Sequence, residues 1–312
     1  MSILQAVSAS DLSVDLTALY RRGLPAGCST GWRSVDEHYT VALGQWTLIT
    51  GIPGHGKSEW LDALLVNLAV DRWRFVIFSP ENQPHALHVA KLLEKFHGKP
   101  FGHGPTTRMD ASEINIGSAF IDDHFKLLRC NQEFVDMPSP RLVIDAAARE
   151  IDAWRKEADE IGMSHRYGVV IDPWNEMDHG RPPAISETEY ISQTLSNIRQ
   201  FARDWEIHVW IIAHPKQMQK DRDGKINPPR PYDISGSAHW YNKADNIITV
   251  FRDTTTIGPV QIHVQKIRFK HVGRPGLVEL RYDRITGRYF DFAAPAHDGK
   301  AAAANEEATE WL

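Results

Sequence analysis

The string GIPGHGKS at residues 51–58 constrains this chain more than any other, because it fits GxxxxGK followed by Ser or Thr without gap or substitution. An apolar run with Trp46, Leu48 and Ile49 precedes it, and SEWLDALLVNLAV after it sets Leu61, Leu64, Leu65 and Leu68 at helical spacing. Strand, glycine loop and helix in that order is the context in which this pattern cradles phosphate. Gly51, Gly54 and Gly56 allow backbone N–H groups to approach phosphate oxygens at φ values that a side chain disfavours, and the helix N-terminus adds its dipole. Ile52, Pro53 and His55 complete the loop and Glu59 follows it. Lys57 is expected to reach the β- and γ-phosphates, and the Ser58 hydroxyl to ligate Mg²⁺. The bland alternative is a glycine-rich turn with a solvated Lys57, and the flanking strand and helix argue against it. The chain is therefore expected to bind ATP with Mg²⁺.

Other strands should bring chemistry to that loop. The run ending RFVIF, residues 74–78, stops at Pro80 and Glu81, and YGVVI, residues 167–171, stops at Asp172. Both read as buried parallel strands. In open α/β sheets the chemistry sits at the carboxyl ends of strands. Glu81 is thus a candidate for polarising an attacking water, against the alternative of a surface loop carboxylate. Asp172 is a candidate second carboxylate on the metal side, against a helix or turn cap. A further strand over residues 207–213 ends in His214, a candidate γ-phosphate sensor in the same row. Helices over residues 85–95, up to about 125, 141–161 and 189–205 separate these strands. The βαβ order predicts a mostly parallel sheet covered on both faces. Segments 247–252, 259–268 and 277–282 read as antiparallel strands that extend it.

The remaining segments leave alternatives open. Ser10 is placed to cap a short helix with Leu12, Leu16, Leu19 and Tyr20, ending near Gly23. So short a helix must dock, either on its own domain or on a neighbouring subunit. Between His214 and Asp233, Lys216, Lys220, Arg222, Lys225 and Arg230 face only Asp221 and Asp223. That is either a loop that holds a nucleic-acid backbone or an ordinary solvated loop. The tail beyond residue 292, with Glu306, Glu307 and Glu310 before Trp311, reads as disordered, a solvated end or a docking peptide for a partner. The domain reading is a lead-in at 1–30, an ATPase domain at 31–292 and this tail at 293–312.

Composition decides less. A net charge of −5 over 312 residues gives no global attraction to nucleic acid, and local patches decide that question. The two cysteines, Cys28 and Cys130, suggest neither a disulfide framework nor a metal site. No run approaches the length of a membrane span and the N-terminus lacks a signal-peptide pattern, so no membrane partner and a cytoplasmic location are expected.

The series GIPGHGKS, FSPEN, YGVVID, IIAHPKQ, DISGSAHWYNKADNII and VQKIRFKHVGRPG resembles, in order and spacing, the RecA-like motor domain of hexameric replicative DNA helicases. It is most similar to the Twinkle and phage helicase-primase branch, with bacterial DnaB helicases further off. The likeness covers roughly residues 31–291. GSA…ADN with KIRF downstream carries the specificity, since very many NTPases share the phosphate loop.

The resemblance implies a RecA-like fold and an ATP-driven, Mg²⁺-dependent helicase that works as a homo-oligomer, a hexamer, on single-stranded or forked DNA. Glu81 matches the catalytic glutamate, and His214 the histidine that passes the γ-phosphate state to the DNA loop beyond it. Arg268 matches an arginine finger inserted into the neighbouring subunit's site, with Lys266 as its basic companion. Arg252 and Tyr282 match a pair packing around the nucleotide base. Three features depart from the pattern: PWN after Asp172 puts Asn175 where the family has Gln, Pro80 precedes Glu81, and no primase or zinc module is legible. Two rivals stand beside the helicase: a RecA- or clock-type ATPase that assembles without unwinding, and a nucleotide-dependent loader module.

Overall fold

The computed structural model describes residues 6–130, 137–218, 226–234, 237–253 and 258–291. In chain order the elements are α1 (Ser13–Arg22), α2 (Arg33–Asp36), β1 (Gln45–Thr50), α3 (Lys57–Val70), β2 (Trp73–Phe78), α4 (His85–His97), α5 (Ala111–His124) and β3 (Phe125–Leu127). Then come α6 (Pro140–Ile161), β4 (Arg166–Ile171), α7 (Glu187–Asp204), β5 (His208–Ile212), α8 (Ser237–Lys243), β6 (Asn246–Arg252), β7 (Val260–Ile267), β8 (Gly276–Tyr282) and β9 (Tyr289–Asp291).

One nine-stranded sheet in the order β3-β2-β4-β5-β1-β6-β7-β8-β9 organises the molecule. Neighbours from β3 through β6 pair in parallel, and from β6 onward the pairs are antiparallel. The expected α/β class, mostly parallel with antiparallel strands at the C-terminal side, is what the chain adopts. One strand differs from expectation: residues 247–252 belong to β6, which runs parallel to β1 with Thr47 opposite Asn246. The reason is the crossover through α8, which returns the chain to the amino end of β1 before β6 begins. β9 is an additional edge strand beyond those expected.

Alternation along each buried strand builds two cores. Ile49, Phe75, Ile77, Trp210 and Ile212 face α3, α4 and α5, packing with Trp60, Leu64 and Leu93. Leu48, Val76, Phe78, Val209 and Ile211 face the other way onto α6, α7 and α8, with Val143, Ile198 and Trp240. At about 25 cal/mol per Å² of apolar area, two such faces supply most of the driving force for folding.

The first helix differs from expectation at its cap. It starts at Ser13 with Leu12 at its N-cap and no side-chain cap; the Ser10 hydroxyl instead meets that of Ser8. No residue of α1 is buried among the described residues. Val14 is 78% and Tyr20 91% exposed. The tail at 293–312 and its acidic residues lie outside the described residues, as do Lys220, Arg222 and Lys225. Among the described residues no helix is long and apolar enough to cross a membrane.

Candidate nucleotide site at the carboxyl edge of the sheet

The parallel strands all end at one edge, and β5 lies between β4 and β1 there although α3, β2, β3 and three further helices separate β1 from β4 in sequence. That reversal of winding opens the crevice in which such sheets bind ligands.

After β1 the chain passes through the glycine loop into α3. Gly51 lies so close to the sheet that an added Cβ would stand 2.3 Å from the Val250 carbonyl oxygen, and Gly56 has φ +93°, a left-handed value. Larger residues at either position would push the loop away from what it holds. Lys57 is buried, and its Nζ donates to the Ile52 carbonyl at 3.2 Å. Burial lowers its pKa to about 8, against the opposing pull of Asp172 and Glu81.

Asp172 ends β4 nearly fully buried, and burial pushes its carboxyl up to about 6. The Ser58 hydroxyl beside it works in the opposite direction, and the charges of Asp62 and Glu81 add to the rise. Ser79 Oγ donates to Asp172 Oδ2 at 3.4 Å. Its Oδ1 has no hydrogen-bond partner among the described residues. A buried carboxylate oxygen without a partner is costly. A hard cation beside Ser58 and Asp172 would remove that cost, so this donor set fits Mg²⁺.

Beyond β2, Ser79 and Asn82 hold the turn that carries Glu81: Asn82 Nδ2 donates to Ser79 Oγ at 2.8 Å, and Lys91 Nζ to Asn82 Oδ1 at 3.2 Å. Cis peptides occur at Gln83–Pro84 and Asp172–Pro173, not at Pro80. Glu81 stays half exposed, with Oε1 3.4 Å from His214 Nε2. His214 sits at the end of β5, its backbone N–H bonded to Asn175 Oδ1 at 2.8 Å. Burial lowers the His214 pKa, helped by Lys57 and opposed by Glu81. Asn175 thereby ties the segment after Asp172 to His214.

Arg252 and Tyr282 also reach this edge. Arg252 Nη2 donates to the Gly54 carbonyl at 3.3 Å and its backbone N–H to His55 Nδ1 at 3.2 Å. The Tyr282 ring lies 4.9 Å from that of Tyr289. Burial raises the Tyr282 hydroxyl to about 12, with Glu59 adding to the rise.

Arg268 and Lys266 are elsewhere. Ile267 pairs with Asn246 and Asn246 with Thr47, which puts the end of β7 at the amino edge of β1. At about 3.3 Å per residue, roughly 15–20 Å separates that edge from the phosphate loop. Of the basic loop, Lys216 and Arg230 are described and exposed. The Lys216 N–H donates to the Asp233 carbonyl at 2.7 Å, closing the loop's two ends together.

Sequence reasoning missed a buried pair behind the site. His88 Nε2 on α4 lies 3.0 Å from Asp62 Oδ1 on α3. Burial opposes both charges, yet each holds the other ionised, with His88 raised and Asp62 lowered. The one available signal was the spacing of Asp62 from Ser58, one helical turn on the same face. Tyr289, whose hydroxyl abuts Gly56 closely enough to stand 3.3 Å from an added Cβ, was missed with β9.

The DnaB-like helicase C-terminal domain model matches residues 27–291. A Twinkle homolog protein of Arabidopsis thaliana, chloroplastic/mitochondrial, is 42% identical over 93% of this chain and 40% of its own length. The chain thus spans about two fifths of that curated relative. Among solved structures, one isolated ATPase domain superposes with a TM-score of 0.73 at 15% identity, covering 92% of this chain and 100% of that one. A DnaB-like replicative helicase, studied with its interactions with primase, gives 0.69 at 15% identity over 92% and 67%. The RadB recombinase gives 0.53 at 15% identity over 84% and 98%. At that identity these structures establish the fold, which is RecA-like.

Proposed function

The chain belongs to the family of DnaB-like helicase C-terminal domains, and from that premise we propose that it is the motor of an ATP-dependent replicative DNA helicase. The observation that carries the reading is the convergence of Lys57, Ser58, Glu81, Asp172 and His214 at one edge while Arg268 stands at the opposite one.

Each residue then has a role in ATP hydrolysis. Backbone N–H groups of residues 51–58 and the Lys57 ammonium bind the phosphates, and Ser58 and Asp172 hold Mg²⁺. A Mg²⁺ ion held by Ser58 and Asp172 would supply positive charge against that developing on the phosphates. Glu81 orients the attacking water and takes up its proton. Arg252 and Tyr282 pack around the base. His214 lies between Glu81 and the basic loop, so loss of the γ-phosphate contact is relayed to that loop through Asn175 and Lys216.

Too far from its own phosphate loop, Arg268 serves a neighbour, with Lys266 beside it. Such a finger contributes on the order of 10³ to 10⁵ in rate and makes turnover depend on a ring. We read that ring as a hexamer of residues 31–292, with α1 in the 1–30 lead-in laid on the adjacent subunit, which would cover its exposed Val14, Leu16 and Tyr20. Lys216, Lys220, Arg222, Lys225 and Arg230 track the phosphates of single-stranded DNA in the channel without reading bases. The acidic tail at 293–312 is read as a contact for replication partners, in an aqueous replication compartment. A forked-duplex assay tests the whole: ATP-dependent strand separation is expected, whereas DNA-stimulated ATPase without unwinding returns the chain to the recombinase-like reading.

A further inference from the structure

At the amino edge of the sheet a carboxylate is buried that the steps above do not use. Asp245 is 0% exposed and stands just before β6. Its Oδ1 accepts from Arg268 Nε at 2.7 Å and from Arg199 Nη2 at 3.1 Å, while Oδ2 accepts the Trp46 N–H at 3.2 Å. The main chain repeats the link, for the Arg268 N–H donates to the Asp245 carbonyl at 2.9 Å. Next to it, Lys266 Nζ donates to the carbonyls of Tyr241 at 2.5 Å and Ala244 at 2.8 Å, which fixes the turn from which Asp245 projects.

A buried ion pair is a poor way to gain stability, because apolar residues of the same volume fill such a place at least as well. What it supplies is orientation. A carboxylate on Nε fixes the plane of a guanidinium and leaves both Nη groups pointing away from the anchor, in the fork that matches phosphate oxygens. Arg268 is anchored at Nε in this way with its side chain 29% exposed, and Nη2 also donates to the Asn242 carbonyl at 3.4 Å, a long contact that it would exchange for a phosphate oxygen.

We propose that Asp245 is a positioning residue for Arg268, anchoring its Nε so that the guanidinium plane is set for the phosphates of the neighbouring subunit's nucleotide. The inference rests on the reading of Arg268 as a finger donated in trans. Arg199, from α7, shares the same oxygen and neutralises Asp245 when the finger engages, so the anchor stays satisfied throughout. Holding the finger in advance removes the ordering cost from the transition state, and a misplacement of about 1 Å costs about 10²-fold.

The test compares Asp245→Asn with Arg268→Ala in the intact chain, with ring formation followed by mass photometry. Asn keeps an acceptor for the Trp46 N–H but brings an NH₂ group towards two guanidinium donors. D245N is expected to lower kcat about 10²-fold with KM for ATP nearly unchanged, and to add nothing when combined with R268A. A structural defect would not pass the second arm. Mixed with Lys57→Ala subunits, whose own sites are dead but whose fingers are intact, D245N subunits should regain activity, as R268A subunits do. Full activity of D245N beside an inactive R268A overturns the inference, as does failure of the mixture to recover activity although rings form. Full activity of R268A overturns the trans finger itself. Should D245N not assemble, Asp245→Glu keeps the charge, moves it by one methylene, and faces the same mixing test.

Discussion

The two edges of the sheet handle charge in opposite ways. At the amino edge Asp245 has a partner for each oxygen, two of them guanidinium groups. At the carboxyl edge Asp172 keeps an unpartnered Oδ1, Lys57 has one carbonyl contact at 3.2 Å, and both have pKa values displaced by burial. The satisfied edge is closed within one chain and leaves the Arg268 guanidinium partly exposed. The other edge keeps groups that phosphate and a cation would satisfy. On the reading proposed above, such a subunit would contribute to two sites, one that it completes with ligand and one that it completes for a neighbour.

That contrast is open to attack, most strongly at Arg268. R268A should reduce ATPase activity by about 10³-fold or more while leaving nucleotide affinity and ring formation in place. A loss of less than about tenfold, read by steady-state turnover at saturating ATP, would make the amino edge merely structural. Glu81→Gln comes next, with turnover lowered by about 10²- to 10⁴-fold and nucleotide binding, measured by fluorescence titration, retained.

Acidity probes the carboxyl edge alone. Asp172 must lose its proton to hold a cation, so kcat/KM should rise with pH through about 6; Lys57 must keep its proton to hold phosphate, so it should fall above about 8. After correction for ionisation of the nucleotide, each limb should change by about tenfold per pH unit, and a profile flat from about 5 to about 9 would contradict the burial argument. The smallest effect is expected at α1. Leu16→Asp should alter melting of the isolated subunit by no more than about 0.5 kcal/mol, because no residue of α1 is buried among the described residues, yet it should weaken ring assembly.

Much of the carboxyl edge was legible in the sequence, because strand ends are marked by residue type. Apolar runs stopping at Glu81, Asp172 and His214 place themselves once a phosphate loop fixes the sheet's polarity. The direction of β6 was not legible, since a buried run such as Ile247 to Val250 looks the same whether its neighbour is parallel or antiparallel; the crossover through α8 decides it. Pairs of distant residues were hidden for a different reason. Asp62 with His88 and Asp245 with Arg199 join helices and strands far apart in sequence, and each partner alone reads as an ordinary surface charge. The position of Arg268 relative to its own phosphate loop emerges only from the register of β7 on β6 and β6 on β1.

The measurement that bears most directly on shared sites is ATPase rate against protein concentration, with and without single-stranded DNA, on samples sized by mass photometry. Activity that appears with ring assembly and is stimulated by single strands is the predicted result. A monomer that turns over ATP at the full rate and ignores DNA would contradict it, leaving a phosphate-loop ATPase complete in one chain.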